Sequence, residues 1–393
     1  MSVYSRLTYF TRIIVPVIIL FMCGCGSAAS TKGIAQLTPT MTATPSPPAV
    51  PIVTAAALWG AKNIRAITFP LADGKPLIPT DVAPDGSIIV GYTMNLSSYD
   101  REIWVYTVAN GAMTHLARVT YADQMATLTG HLQPLAAPGP GVALFDPTTD
   151  GRFVTWQHEG NTDEVRTTVY DRQTQQLTTL PYVSVTNYSG NLQHGNFITV
   201  AGTEEQLSVH NLASGANIDI AAVGDLDVLF SWPYIVYQAK SDRQWHIYSI
   251  TTKQDTIGND AVQQSFTQIS VNGLNPVIAG NTLFWRQIES APNQLEAIDN
   301  FTALTATVRL AATLPDTVHV LTRGSVGIGI GNARILAWYN VDGIYAWDTS
   351  HQQLVQTTDA VTGTGVPLFL HGDSFLYQIS NDGWQLVNTN QLP

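Results

Sequence analysis

Five patterns in this chain of 393 residues could do chemistry if the fold delivered them correctly. Serine acyl transfer needs a Gly-x-Ser-x-Gly elbow between a strand and a helix. Arg323-Gly-Ser-Val-Gly327 has the wrong first residue, and no alternation of strands and helices follows it. A phosphate cradle is suggested by Gly327-Ile-Gly-Ile-Gly-Asn-Ala333, but Asn332 stands where the fingerprint wants its third glycine. The next residues, Arg334-Ile-Leu-Ala-Trp338, continue as a strand rather than a helix, so the glycines fit a crowded inner strand. The nine histidines form no i, i+4 pair and no His-Glu-x-x-His, so zinc would need ligands gathered from distant segments. Asp146-Pro-Thr-Thr-Asp-Gly151 departs from an Asp-x-Asp-x-Asp calcium loop and fits a turn. Paired carboxylates could hydrolyse a glycoside. The acids here are scattered, often in turns such as Asp85-Gly86 and Asp382-Gly383. No catalytic residue, metal ligand or cofactor is assigned, and the chain is expected not to be an enzyme.

Aromatic side chains offer a different chemistry. Nine tryptophans and fifteen tyrosines could make a stacking platform. Most recur at one strand position, as in Val154/Trp156, Leu283/Trp285 and Leu336/Trp338. Trp156, Trp285 and Trp338 are therefore expected in the core. Trp232, Trp245 and Trp384 lie nearer strand ends or turns. They are the candidates for an exposed surface that binds a protein, peptide or glycan.

One residue near the start points to covalent modification. Arg6 and Arg12 precede an apolar run, Ile13 to Met22, that is short for a membrane span. Met22-Cys-Gly-Cys25 follows and resembles a bacterial lipobox. The resemblance implies cleavage of residues 1–24, lipid on Cys25, and a body on the extracytoplasmic face of a bacterial membrane. An ordinary cleaved signal or an uncleaved anchor are the alternatives. Cys23 and Cys25 are the only cysteines, so no disulfide can staple the body.

Composition fits export. Charged residues make up 12% of the chain, about half the usual share. Cleavage would remove Arg6 and Arg12 and take the net charge from −11 to −13. No Lys/Arg-rich run exists, which argues against nucleic-acid binding, because phosphate neutralisation needs clustered cations. Residues 25–54 are expected to form a tether after the lipidated cysteine. Their stretch Leu37-Thr-Pro-Thr-Met-Thr-Ala-Thr-Pro-Ser-Pro-Pro-Ala-Val-Pro51 lacks an apolar period, and its prolines remove backbone donors.

From residue 55 one unit recurs seven times, about 35 to 65 residues apart. Its first apolar strand reads Phe153-Val-Thr-Trp156, Tyr234-Ile-Val-Tyr237, Ile335-Leu-Ala-Trp338 and Phe375-Leu-Tyr377, among others. A second follows, as in Thr168-Val-Tyr-Asp171 or Tyr345-Ala-Trp-Asp348. An aliphatic and an aromatic two apart share one strand face. A further extended piece precedes each unit, giving four strands. Asp-Gly links at Gly343 and Gly383 are expected to supply positive φ for tight hairpins. The segments Ala83-Pro-Asp-Gly-Ser-Ile-Ile-Val90 and Ile103-Trp-Val-Tyr-Thr-Val-Ala-Asn-Gly111 resemble the repeat of TolB-like, WD40-like propellers, with Ala83 for Ser and Thr107 for Asp. The resemblance implies a fold more than a function.

The expected fold is all-β, a propeller of four-stranded antiparallel blades over residues 55–393. Its last unit is one strand short, so residues 64–71 are expected to pair beside 384–388 and close a ring of seven. The competing count is eight, with 57–59, 64–71 and 74–78 as a unit of their own. The functional expectation is a non-catalytic binding module at the cell envelope. An envelope glycosidase or lyase, or a structural subunit of a membrane-bound assembly, are the alternatives.

Overall fold

The computed structural model describes residues 51–393 except 96–99, 120–143, 160–164, 184–191, 202–204, 224–227, 259, 261–262, 264–265, 267–272, 280–281, 289–300, 308–317, 325–328, 341–342, 360–367 and 381–382. The lipobox, Cys25 and tether residues 25–50 lie outside the described residues. Among the described residues the strands form seven sheets. Sheet 1 is an antiparallel meander of Ile78–Val82, Ile88–Met94, Arg101–Thr107 and Ala112–Val119. Sheets 2 to 5 repeat that order, opening with Leu144–Thr149, Leu192–Gln193, Leu229–Ser231 and Gly273–Ala279. Sheet 6 opens with Ile330–Gly331 and sheet 7 with Leu368–His371.

Both faces of the second strand in a sheet are covered, which is why these strands read as apolar runs rather than alternations. In sheet 1, Ile88 and Val90 join a cluster with Val154 and Trp156 of sheet 2, while Ile89 joins Leu376 and Trp384 of sheet 7. In sheet 6, Ile335 and Ala337 face Phe375 and Tyr377 of sheet 7, while Leu336 and Trp338 face Phe284 of sheet 5. The core is thus a series of layers between sheets. The aliphatic–aromatic pairs Val154/Trp156, Ile235/Tyr237 and Leu336/Trp338, and the aromatic pair Phe375/Tyr377, all pack on the preceding sheet. Trp156 and Trp338 are buried as expected. The Trp285 side chain lies outside the described residues.

The first strands of sheets touch their counterparts in neighbouring sheets, including sheet 7 with sheet 1. They are therefore the inner strands. Crowding between sheets explains one glycine of the run in sheet 6. A Cβ built on Gly329 would enter the Phe284 ring of sheet 5, so packing, not phosphate binding, demands a glycine there.

The N-terminal segment completes two sheets. Ile64–Ile67 pairs antiparallel with Trp384–Asn388 as the fourth strand of sheet 7, with Ile64 opposite Val387 and Ile67 opposite Trp384. This is the pairing expected from the missing strand, although the strand ends at Ile67 rather than at residue 71. The proposed eighth unit does not form a sheet among the described residues. Ala56–Gly60 is instead a helical turn that buries Trp59. The tether boundary also moves. Ile52–Thr54, assigned above to the tether, is a strand pairing parallel with Gln353–Asp359. Gly343 has positive φ, at +145°, and residues 341–342 before it lie outside the described residues. Gly383 does not have positive φ. A side chain there would crowd Ser380 and Ile379.

Candidate functional site

Among the described residues the inner strands of sheets 1 to 4, 6 and 7 end in tight turns, and several of these strand ends and turns are bonded from sheet to sheet. Short polar side chains hold the turns. Asp85 Oδ1 accepts from Ser87 N (2.9 Å), Asp150 Oδ1 from Phe153 N (2.8 Å), and Asn332 Oδ1 from Ile335 N (2.8 Å). This is the local use of Asp and Asn that turn chemistry predicts. The same residues then reach across. Thr80 Oγ1 donates to the carbonyl of Pro147 (2.6 Å), and Thr149 N donates to Asp81 Oδ2 (2.8 Å), joining sheets 1 and 2. Gly195 N donates to Asp150 Oδ2 (2.5 Å), joining sheets 2 and 3. Trp232 N donates to Gln193 Oε1 (3.0 Å), joining sheets 3 and 4. Asn332 Nδ2 donates to the Gly372 carbonyl (2.6 Å), joining sheets 6 and 7. Asp373 N and Ser374 Oγ both donate to the Pro84 carbonyl (3.0 Å each), joining sheets 7 and 1.

At the centre of this turn end lies a buried ionisable pair. His371 closes the inner strand of sheet 7, and its Nδ1 is 3.3 Å from Asp81 Oδ2. Both are nearly out of solvent, at 5% and 3% exposure. Asp81 Oδ1 accepts from Val82 N (2.8 Å). Burial alone would depress the histidine. The charge of Asp81, its hydrogen bond, the charge of Asp150 and the Leu192 backbone outweigh burial, so the imidazolium is favoured and the pKa is raised. Nε2 is buried and makes no hydrogen bond among the described residues.

The three predicted stacking residues separate. Trp384 is 4% exposed and lies among Phe69, Phe369 and the core between sheets 7 and 1. Trp245 is 3% exposed and stacks on Phe266 at 4.5 Å. Neither presents an exposed face, because aromatic residues from neighbouring segments cover them. Trp232 is different. It is half-buried at the turn end, and the ring of exposed His194 stacks on it at 4.8 Å with an interplanar angle of 30°. Trp232 and His194 follow the inner strands of sheets 4 and 3, so the fold brings them beside the turns described above.

Two further clusters had no sequence signal, because their members come from separate strands. His246 Nδ1 is 3.0 Å from Asp255 Oδ2 and its Nε2 is 3.2 Å from Asp242 Oδ2, while its ring stacks on Tyr237 at 5.4 Å. The Gln244 backbone N–H and the His246 ring hold the Asp242 carboxyl below its usual range, against the cost of desolvation. Burial, then Asp255, pushes the Tyr237 hydroxyl up. The second cluster is structural. Asp348, fully buried, accepts from Trp59 Nε1 (3.1 Å) and Arg334 Nε (3.1 Å) and meets His351 Nδ1 at 3.2 Å. Burial would raise its pKa, but these donors hold it below the ordinary value. Among the described residues, no group of three His, Cys, Asp or Glu side chains is placed to hold a metal ion.

No family model matches the chain, and no curated relative matches it. Several solved structures are similar in outline. One is the β-propeller domain of the Trilobed protease from Pyrococcus furiosus, at 10% identity over 77% of this chain and 90% of that one, with a TM-score of 0.44. Another is an uncharacterized protein from Listeria monocytogenes EGD-e, at 9% identity over 81% and 93%, with a TM-score of 0.45. A third is Hsv2 from Kluyveromyces marxianus, at 10% identity over 77% and 88%, with a TM-score of 0.43. No argument rests on likenesses this remote. The strand order and pairing carry the fold.

Proposed function

We propose that this chain is a lipid-anchored, extracytoplasmic β-propeller acting as a non-catalytic binding module. Its ligand is a protein, peptide or glycan taken at the turn end of the inner strands. In this reading each of the seven sheets is a blade, and Ile64–Ile67 closes the ring by completing the last. The register of Ile64 opposite Val387 and the packing of sheet 7 on sheet 1 support closure. An open edge on so large an all-β body would invite pairing with other chains.

The observation that carries the binding role is the bonded turn end with Trp232 and His194 upon it. A rigid scaffold that presents turns around an axis suits recognition, since side chains on such turns are held without a large ordering cost on binding. The membrane arm of the proposal rests on Met22-Cys-Gly-Cys25. From Cys25 to the first strand at Ile52 the chain reaches at most about 90 Å, enough to hold the body clear of a membrane.

The membrane form, isolated from native cells, tests both arms. Mass spectrometry is expected to find diacylglycerol on an N-terminal Cys25, and an unmodified N-terminus elsewhere would refute the anchor. Crosslinking on the same membranes is expected to capture a partner or glycan with wild type and not with Trp232→Ala. Equal capture by both would refute the turn-end site. Deleting residues 27–50 is expected to leave the body folded, whereas deleting 52–72 removes strands from two sheets and should cause aggregation. Equal stability of both deletions would refute ring closure by this segment.

A further inference from the structure

We propose that His371 is a proton-operated latch on the seam between sheets 7 and 1. Charged, it ties the two inner strands through Asp81. Neutral, it weakens that tie. The inference does not depend on the binding role proposed above.

The geometry behind it is a shared carboxylate. Asp81 Oδ2 receives Nδ1 of His371 from sheet 7 and the backbone N–H of Thr149 from sheet 2. One oxygen thereby links three consecutive sheets across the place where the first and last sheets meet. His371 and Asp81 are 290 residues apart in the chain, so the contact exists only when that seam is assembled.

The groups around the ring make its charge consequential. Asp81 faces it from the inner strand of sheet 1, and Asp150 acts on it from the turn after the inner strand of sheet 2. Asp146, farther back on that strand, has a side chain outside the described residues. Leu192–Gln193 of sheet 3 contributes the Leu192 backbone and no charge. Ile330–Gly331 carries no titratable side chain, and the one in Ser374–Gln378 is Tyr377, whose hydroxyl burial keeps neutral. Asp373 follows His371 in its own turn, where its N–H is bonded to the Pro84 carbonyl.

Thus two carboxylates bear on one buried imidazole. With the ring charged, Asp81 has a counter-ion. When the proton leaves, the Asp81 carboxylate remains in a buried position without it, which is unfavourable. The raised pKa has the matching sign. The latch's stabilisation is complete below the unfolded histidine value near 6.5 and is lost as pH rises through the higher folded value. Nε2 of the buried ring makes no hydrogen bond among the described residues, while the Leu192 backbone favours the charged form.

The test uses the full-length protein with carbon-13-labelled histidine, and the His371 ring signal is assigned through its own backbone. Two readouts are followed from pH 5 to 9: the ring titration and the amide exchange of Leu370, His371 and Val82. The ring is expected to half-titrate above pH 6.5. Exchange at the seam, corrected for base catalysis, should rise at least tenfold with the same midpoint. Asp81→Asn should move the midpoint down by about one pH unit. His371→Gln should abolish the pH-dependent step in seam exchange. If His371→Gln does not fold, the wild-type midpoint and its coupling to exchange decide the matter. A ring that titrates at or below 6.5, or seam exchange that ignores the titration, overturns the latch. An unmoved midpoint in Asp81→Asn overturns it as well.

Discussion

Acidification from pH 7 to pH 4.5 should destabilise this protein measurably through one buried histidine, His210. It lies in the strand Gln206–Asn211 of sheet 3, is 3% exposed, and has its Nε2 2.8 Å from Thr199 Oγ1 on the paired strand. Burial pushes its pKa down to about 4, only partly opposed by the charge of Asp219. An unfolded histidine titrates near 6.5. Between these values the unfolded chain binds a proton that the folded chain refuses, so stability falls as pH falls, and the loss levels off below the folded value. The full shift corresponds to about 3 kcal/mol. Acidification to pH 4.5 stops short of the folded value, so about 2 kcal/mol of it is expected. Urea unfolding at pH 7.0, 6.0, 5.0 and 4.5 measures the change. Other groups titrate over the same range, and His371, with its pKa raised, contributes in the opposite direction. The comparison with His210→Phe isolates the term. That variant leaves the Thr199 hydroxyl without its partner and should lose about 1–3 kcal/mol at pH 7. It should also lose about 2 kcal/mol less than wild type on acidification. Identical pH dependence in the two proteins would refute the reasoning.

Two further predictions concern packing and the N-terminal segment. Gly329→Ala should lower stability by about 1–3 kcal/mol through overpacking against Phe284. Thermal unfolding should show the loss, and Phe284→Leu in the same chain should recover part of it. Asp348→Asn should cost about 3 kcal/mol, because Arg334 would keep a charge with no buried counter-ion and the tie to Trp59 would weaken. Limited trypsin digestion, followed by mass spectrometry, should then cut faster after Lys62, which lies in the exposed turn just beyond Trp59.

The repeated strands were legible because their physics is local. A strand buried on both faces needs apolar residues at successive positions, and a turn needs Asp, Asn or Gly, so Ile335-Leu-Ala-Trp338 and Asp85-Gly86 announce themselves. The missing fourth strand was legible too, since a count of strands in the last unit left only the N-terminal segment to supply it. The short strand Ile52–Thr54 was not. Three residues beside prolines look like tether, and only their register against Leu354 to Gln356, some 300 positions away, makes them strand.

The candidate site divides along the same line. Proximity to a strand end could not say whether Trp384 or Trp232 would be covered, because the covering groups belong to other units. Phe69 and Phe369 cover Trp384, whereas Trp232 stays half-buried beside the core, with the exposed His194 of the neighbouring sheet's turn stacked on it. His371 and Asp81, and likewise Trp59 and Asp348, stand 290 and 289 residues apart. Sequence by itself determined the repeated strands, most of their turns and the order of the units, because backbone propensity and two-sided burial act within a few residues. The tertiary structure decided which polar groups share a buried environment, because desolvation and charge pairing depend on distance in space and leave no period along the chain.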